Sequence, residues 1–247
     1  MCGRYAQTAD MRELMEQFEV TGTSPQSSLP LNWNIAPTNP IYIVRANDPS
    51  GKDIKSEKAL ATVSWGLIGP WLTDMQEARA SQSRAINARS ESIHEKPTFR
   101  NAFRSTRCLI PASGYYEWAT ALGQYRPKQP FYISARDGLQ LPIAGIWSSW
   151  KAPNGEVIET ASIITQEAQG ELETIHSRMP VFMPADRWDL WLNPRNTDVN
   201  ELKSLMVVEQ PESIVIARPV SDAVNSVANN GKELTVETPL GEPETLF

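Results

Sequence analysis

The sequence predicts a single α+β domain with a mostly antiparallel, barrel-like β-sheet and short peripheral helices. The chain has 247 residues, of which 40% are hydrophobic, and a chain of this length can bury a sizeable core. Apolar and β-branched runs follow one another at short intervals, separated by turn residues rather than by regular helices. A doubly wound parallel sheet needs helices between successive strands, so this spacing favours antiparallel pairing. We expect the domain to cover residues 1–234, followed by a polar, Pro-rich tail over residues 235–247.

The N-terminal part of the chain is predicted to contain one helix and one hairpin. Thr8 is placed to cap the helix, whose apolar residues follow the i, i+3, i+4, i+7 spacing: Met11, Leu14, Met15 and Phe18. A polar loop over residues 22–30 follows. Residues 41–45 and 61–67 have strand character, and the turn-rich letters NDPSGKD between them predict a hairpin.

The C-terminal part is predicted to consist mainly of strands. Strand character is found in order in RCLIPA, YYEW, PFYIS, LPIAGIWSSW and VIETASIIT, and the letters KAPNG predict a hairpin turn between the last two. Two short helices are expected, one over residues 186–192 and one, capped by Thr197, over residues 199–206. Residues 213–220 are predicted to form a final strand.

The charge distribution argues against a protein that holds nucleic acid by bulk electrostatics. The formal net charge is −6, whereas such proteins are strongly basic. The segment over residues 79–107 is the exception, with a charge of about +5 from two acidic residues, Glu91 and Glu95, and seven basic ones: Arg79, Arg84, Arg89, Lys96, Arg100, Arg104 and Arg107. This segment is either a solvated face or a local anion-binding groove.

The cysteine count and the N-terminus predict a cytoplasmic protein. Cys2 and Cys108 are too few for a disulfide framework, and the N-terminus has no apolar signal region. No apolar run approaches the ~18 residues that a membrane span requires. Together with His94 and His176, the cysteines form no zinc signature, and no Gly-rich phosphate loop is present. We therefore expect neither a metal ion nor a cofactor.

Cys2 could have an unusual reactivity because it directly follows the initiator Met. If Met1 is removed, Cys2 carries an α-amine and a thiol on adjacent carbons. An α-amine has a pKa of about 7.8, so roughly a third of it is neutral at about pH 7.5, against about one lysine in a thousand. A neutral amine attacks aldehydes to give an imine, and the thiol can then close a five-membered thiazolidine ring. The alternative is an ordinary cysteine that happens to be second.

Three further segments place polar residues in specific surroundings. Asn87 and Arg89 alternate with Glu91 in the letters INARSES, so their side chains share one face of an extended segment. Glu117 lies inside the aromatic run GYYEW, where burial would raise its pKa and suit it to carry protons, unless it faces solvent. His176 precedes an arginine by two residues and is either functional or an ordinary core or surface histidine.

Seven motifs occur in order between about residues 2 and 234. They are MCGRY, NIAP, WGLIGPW, INAR, GYYEW, IHSRMP and VNSVANNGKEL. On these motifs the chain resembles the SOS-response-associated peptidase family, whose members are also described as abasic-site processing proteins. Leu72, which stands where that family often has a second aromatic residue, is the one departure from its pattern.

The resemblance implies a covalent reaction with damaged DNA. Cys2 would attack the ring-opened aldehyde of an abasic site in single-stranded DNA and form a stable thiazolidine cross-link that shields the lesion during the DNA damage response. Asn87 would hold the N-terminal residue and the sugar, Glu117 would orient the Cys2 amine and move protons, and His176 would protonate the sugar oxygen. Removal of Met1 by the protein itself and a minor β-elimination (lyase) activity are also expected.

The resemblance also implies how a monomer would hold the strand. Arg4, Arg89 and Arg178 would contact phosphates that flank the lesion. Pro37 and the region of Trp71 would wedge against neighbouring bases. The remaining residues of the implied DNA-binding set are Asn34, Trp118 and Thr165.

Two other functions remain open from the sequence. A thiol peptidase would use Cys2 as nucleophile and His176 as base, and would need an oxyanion hole. A non-covalent module that binds single-stranded DNA or a protein would make Cys2 incidental. Intact mass after incubation with an abasic oligonucleotide separates the first function from both others.

Overall fold

Strands account for most of the regular structure. The computed structural model describes residues 2–48, 57–120 and 125–240. In chain order, the strands and α-helices of these residues are β1 (Arg4–Gln7), α1 (Met11–Gln17), β2 (Asn32–Ile35), β3 (Pro40–Ala46), β4 (Lys58–Trp65), α2 (Met75–Arg84), β5 (Asn87–Arg89), α3 (Arg100–Ser105), β6 (Arg107–Ala112), β7 (Gly114–Trp118), β8 (Pro130–Ala135), β9 (Leu141–Lys151), β10 (Val157–Glu167), β11 (Arg178–Pro180), α4 (Trp188–Leu192), α5 (Val199–Leu205) and β12 (Val215–Pro219). Short 3₁₀ turns connect several of them.

Five of the strands close into a barrel. Their order is β10, β4, β3, β6 and β9, and β9 pairs back onto β10 to complete the ring. All of these pairs are antiparallel except β10 with β4, and the short strand β5 also pairs in parallel with β10. The predicted α+β, mostly antiparallel and barrel-like fold is confirmed.

A second, fully antiparallel sheet packs against the barrel. Its order is β12, β8, β7, β1 and β2, so the N-terminal strand lies between two neighbours rather than at an edge. A shared core joins the two sheets, with Tyr5 and Tyr115 from this sheet against Trp65 and Ile163 from the barrel. Burial of such side chains removes apolar surface from water and holds the two sheets together.

The two predicted helix caps are wrong by one or two residues. Asp10, not Thr8, caps α1, and its side chain and that of Glu13 form a reciprocal capping box. Thr8 instead hydrogen-bonds through its backbone and hydroxyl to Ser113. Likewise Asp198, not Thr197, caps α5. In both places two residues suited to capping stand close together, and the carboxylate adjacent to the first helical residue reaches the free N–H groups.

The other predicted elements mostly lie where the sequence places them. Strands β3 and β4 pair as the predicted hairpin does, but most of its turn lies outside the described residues. Strands β9 and β10 pair on either side of the KAPNG turn. The start of the predicted tail pairs with the end of β12 through Glu237 and Thr238, while the boundary at residue 234 stays a prediction. None of the described helices combines the length and the apolar character needed to cross a membrane.

The basic segment divides into six exposed side chains and one that is buried. Arg107, 2% exposed, points into the interior, whereas the other six cations of the segment face solvent. Its guanidinium donates to the carbonyls of Phe103, Trp191 and Asn193. These carbonyls lie at the C-terminal ends of α3 and α4, where helices leave acceptors unsatisfied and favour positive charge. Burial lowers the pKa of Arg107 to about 10, so the guanidinium remains charged at neutral pH.

We predict that Arg107→Met lowers the free energy of unfolding by about 3–5 kcal/mol, because three buried carbonyls lose their donor. Urea denaturation followed by circular dichroism measures the change. Arg104→Met, at an exposed position on α3, is the matched control and should stay within about 0.5 kcal/mol of wild type. Equal stability of the two variants would contradict this assignment.

Candidate active site and DNA-facing surface

The N-terminal strand carries Cys2 into the core between the two sheets. Cys2 is fully buried, two residues before β1, and belongs to the same cluster as Tyr5 and Tyr115. Strand β1 pairs with β7 in a register that places Arg4 opposite Tyr116. Continued by one residue, this register brings Gly3, the neighbour of Cys2, level with Glu117. The charge of Glu117 acts on the Cys2 thiol, so a buried thiol lies near a buried carboxylate.

Asn87 holds the backbone of Cys2. The side-chain amide of Asn87 donates to the carbonyl oxygen of Cys2 over 2.8 Å. Asn87 begins β5, which pairs in parallel with β10 and places Asn87 beside Ile163. Its other side-chain atom, Oδ1, is buried and has no hydrogen-bond partner among the described residues. The structure thus brings Asn87 to Cys2 and leaves an acceptor at the same place.

Glu117 and the Cys2 thiol have raised pKa values. Glu117 is 3% exposed, and burial raises its pKa to about 7, so the carboxyl is partly protonated at neutral pH. Burial and the nearby charge of Glu117 raise the pKa of the Cys2 thiol well above its usual range. The thiol is therefore neutral at physiological pH, and the carboxyl is suited to both accepting and giving a proton.

His176 lies in a segment that is attached to the end of β7. The carbonyl of Ile175 accepts from the backbone N–H of Thr120 over 2.9 Å, two residues after the end of that strand. The ring Nδ1 of His176 accepts from the backbone N–H of Arg178 over 2.9 Å. Burial lowers the pKa of His176, so the ring is neutral at pH 7 and carries its hydrogen on Nε2.

Arg178, the first residue of β11, makes a bidentate ion pair with Glu91. Its Nη1 and Nη2 donate to the two carboxylate oxygens of Glu91 over 2.7 and 3.0 Å. Nη2 also donates to the carbonyl of Thr165 over 2.7 Å. Thr165 is fully buried and pairs with Arg89 on β5 and with Pro180 on β11. Its carbonyl therefore holds the guanidinium of Arg178 from the interior side. Arg89 itself is exposed.

Arg4 and Asn34 hold the C-terminal segment against the N-terminal strand. Arg4 donates to Asn34 Oδ1 over 2.8 Å and to the carbonyl of Val224 over 3.1 Å. Asn34 is 3% exposed and donates to the carbonyls of Val224, Ser226 and Asn229. Asn34 is thus part of a buried polar network, and its predicted DNA contact stays a prediction.

Trp118 lies at the surface next to Glu117. Its indole N–H donates to Asn225 Oδ1 over 2.7 Å, and the guanidinium of Arg4 lies 5.9 Å from the centre of its ring. The ring is half-buried and forms one wall beside the site. The sequence motif VNSVANNGKEL therefore contributes the residues that anchor Arg4, Asn34 and Trp118.

Pro37 and Trp71 lie on two loops near the C-terminal end of β4. The Pro37 loop is fixed because Thr38 N–H donates to the carbonyl of Trp65 and Trp65 N–H donates to Asn39. Trp71 is 50% exposed and lines a groove of about 280 Å³ against α3 and β9. Leu72, in place of a second aromatic residue, packs inward against Trp150.

A glycine turn sets the direction of the Trp71 loop. Gly66 has a φ of +110°, and a Cβ there would lie 2.2 Å from the backbone oxygen of Gln82. Only glycine fits both the dihedral angle and the close approach. This explains on physical grounds why the first glycine of WGLIGPW, Gly66, is a glycine.

Two features of the site escaped the sequence reasoning. Tyr5 and Tyr115 enclose Cys2, but nothing in their sequence pattern separates them from other core aromatics. The pairing of Glu91 with Arg178 could have been suspected from the alternation with Asn87 and Arg89, although their separation along the chain hides the partner. Within the ranges that the structure describes, no cluster of three or more His, Cys, Asp or Glu could hold a metal ion.

Comparisons with known proteins place these residues in a family. The family model described as SOS response associated peptidase (SRAP) matches residues 1–227. The abasic site processing protein YoqW of Bacillus subtilis (strain 168) is 35% identical over 95% of this chain and 98% of its own length. The abasic site processing protein HMCES of Gallus gallus is 28% identical over 84% of this chain and 66% of its own length.

Solved structures share the fold. A protein from Bacteroides thetaiotaomicron superposes with a TM-score of 0.82 at 24% identity, covering 96% of this chain and 100% of its own. One from Bordetella bronchiseptica gives 0.72 at 26% identity, covering 89% and 100%. Because the family model covers nearly the whole chain and the bacterial relative aligns along almost its full length, this chain belongs to the SOS response associated peptidase family.

Proposed function

We propose that this protein recognises abasic sites in single-stranded DNA and joins them covalently through Cys2. One observation carries the proposal: Cys2 is held by Asn87 at the buried start of β1, beside a carboxyl whose pKa is about 7. The names of the relatives, abasic site processing proteins, agree with this chemistry. The protein would act as a monomer. Its two unpaired thiols are in line with a cytoplasmic location.

The proposed reaction forms two bonds and releases one water. After removal of Met1, the neutral amine of Cys2 attacks the C1′ aldehyde of the opened sugar, and loss of water gives an imine. The thiol sulfur then adds to the imine carbon, and its proton passes to the nitrogen, which closes the thiazolidine ring. Because the imine acidifies the adjacent carbon, a minor β-elimination that cleaves the strand belongs to the same proposal.

Different neighbouring side chains carry out the separate proton transfers. Glu117, half-ionised near pH 7, takes the proton from the Cys2 ammonium and returns one to the departing water. His176 directs its Nε2–H toward the sugar oxygen as the ring opens. Asn87 fixes the Cys2 backbone, and its buried Oδ1 accepts from a substrate hydroxyl or the amine.

The raised pKa of the Cys2 thiol argues against a general thiol peptidase. Peptide cleavage by cysteine requires a thiolate, and thiolates form where positive charge lowers the pKa. Here burial and the Glu117 carboxylate act in the opposite direction. A neutral thiol serves for ring closure, because the imine carbon is a far stronger electrophile than an amide. Peptidase activity would then be limited to removal of Met1 by the protein itself.

The proposed DNA path uses residues that surround this site. Arg4, Arg89 and Arg178 contact phosphates, and Pro37 and Trp71 wedge against bases next to the lesion. Such contacts tolerate any sequence, which suits a lesion that can arise anywhere. Trp118 offers a stacking face beside Glu117, while Asn34 and Thr165 act from beneath the surface.

We expect Cys2→Ala to abolish the stable cross-link while leaving an amine that still forms an imine. Intact mass after incubation with an abasic oligonucleotide should show a DNA-sized addition for wild type and none for the variant. Borohydride treatment should then trap the imine of the variant. A stable adduct without borohydride would contradict the role of the thiol.

Cys108→Ala is the matched control for this experiment. Cys108 is equally buried and belongs to the same core cluster, but it lies within β6, against Gly145, and carries no α-amine. It should cross-link at the wild-type level. A requirement for Cys108 with Cys2 dispensable would overturn the proposal.

A second prediction concerns the α-amine. Residues appended before Met1 and resistant to cleavage should inactivate the protein although every side chain remains, because the Cys2 nitrogen is then an amide. A cleavable extension of equal length should restore the mass addition once it is removed. Full activity of a demonstrably uncleaved protein would exclude the amine mechanism.

The pKa of Glu117 predicts the pH profile. The cross-linking rate of wild type should rise with an inflection near pH 7, as Glu117 becomes ionised and can accept the amine proton. Glu117→Gln should lose that inflection and be slower by about 10²–10⁴-fold near pH 8. Single-turnover rates across about pH 5 to 9 measure both effects.

Unfolding of the same variant is an independent check on the pKa. The unfolded carboxyl releases its proton near pH 4.5 and the folded one near 7, so wild type loses stability as the pH rises through this window. Glu117→Gln should therefore be more stable than wild type by up to about 3 kcal/mol near pH 8, with the difference shrinking toward pH 5. An identical pH dependence of the two proteins would disprove the raised pKa.

A further inference from the structure

The guanidinium of Arg178 is already committed to protein acceptors. A guanidinium carries five N–H bonds, of which two here point at Glu91 and one at the carbonyl of Thr165. The Nε–H is buried and has no acceptor among the described residues. One N–H on Nη1 remains. A phosphate can therefore form a bidentate contact with Arg178 only if the Glu91 carboxylate leaves.

Glu91 is the more exposed partner of this ion pair. Its side chain is 48% exposed, whereas that of Arg178 is 12% exposed and anchored on Thr165. The Glu91 carboxylate also accepts from the backbone N–H groups of Glu91 and Glu167, which it would give up on leaving. Because Arg178 is the more buried and anchored partner, displacement of the pair would move Glu91 and leave the arginine in place.

A groove next to Glu91 gives the carboxylate a second position. It has a volume of about 480 Å³, and its wall includes Glu91, Gln166, Gln169 and the ammonium-bearing Lys203 of α5. An ammonium and two amides can receive a carboxylate released from a guanidinium. The groove therefore offers hydrogen-bond donors to the displaced carboxylate, which lowers the free-energy cost of leaving Arg178.

We propose that Glu91 is a specificity-determining residue: its carboxylate occupies Arg178 in the free protein, and a DNA phosphate displaces it into the groove beside Lys203. The inference rests on the proposed function, because it requires Arg178 to contact DNA. Each binding event then replaces one internal ion pair by one phosphate contact. Intact strands are consequently held weakly, and a covalent bond supplies the retention at a lesion.

The test is non-covalent binding of an intact, fluorescein-labelled single strand, measured by anisotropy at several salt concentrations. Glu91→Gln should bind about three- to tenfold more tightly than wild type, with a salt slope steeper by about one. Glu91→Asp retains the charge and should remain close to wild type. A residue that merely supports the fold would not give a gain of affinity, so weaker or unchanged binding by Glu91→Gln overturns the proposal.

Two comparisons separate this mechanism from bulk charge. Glu95→Gln removes an equally negative, exposed side chain four residues away, and an equal gain there would assign the effect to net charge. In an Arg178→Gln background, Glu91→Gln should bring no gain, and a persisting gain would also overturn the inference. Lys203→Gln should weaken binding about two- to threefold only when Glu91 is present. The same loss without Glu91 would mean that Lys203 contacts DNA directly.

Failure of the proposed function gives a different result from failure of this inference. A wild-type protein that gains no mass from an abasic oligonucleotide disproves the function. A wild-type protein that cross-links normally, with Glu91→Gln binding intact strands no better than wild type, disproves the role of Glu91 alone.

Discussion

The hydrogen bond from Asn87 to the carbonyl of Cys2 is the constraint on which the site depends. Chain termini are usually exposed and poorly ordered because nothing holds their backbone. Here the first strand is inserted between β7 and β2, and Asn87 reaches across from the barrel to fix the residue before it. The hydrogen bond therefore joins the two sheets at Cys2, and a residue beside the start of the chain obtains the fixed position of a core residue.

Burial of the terminus then sets the chemistry of its neighbours. The same desolvation that raises the pKa of Glu117 to about 7 also keeps the Cys2 thiol protonated and the His176 ring neutral. A site with a neutral thiol, a neutral imidazole and a partly ionised carboxyl disfavours thiolate chemistry and suits a reaction that begins from a neutral amine. Amine attack and ring closure would each need proton transfers of small driving force, which a carboxyl with a pKa of about 7 can provide.

The sequence predicts the strands well because alternation is a local signal, whereas Asn87 and Glu117 could be expected near Cys2 only through the family resemblance. Barrel closure between β9 and β10 and the insertion of β1 into the second sheet are not local, so only the general fold class could be expected. The caps at Asp10 and Asp198 were missed because neighbouring residues of similar propensity competed. Glu91 lies 87 residues from its partner Arg178 and Ser226 lies 192 residues from Asn34, and no periodicity reports such pairs.

Two of the arginines around the site already have protein partners. Arg4 is bound to Asn34 and Val224, and Arg178 to Glu91 and Thr165, so in the proposed function a phosphate would replace existing hydrogen bonds at these two residues, whereas Arg89 is exposed. Replacement yields little net free energy, in contrast with the counterion release that drives binding to strongly basic surfaces. Together with the net charge of −6, this favours a low affinity for intact DNA. In the proposed function, discrimination would then be left to the one event that an intact nucleotide cannot undergo, the reaction of an aldehyde with the Cys2 amine.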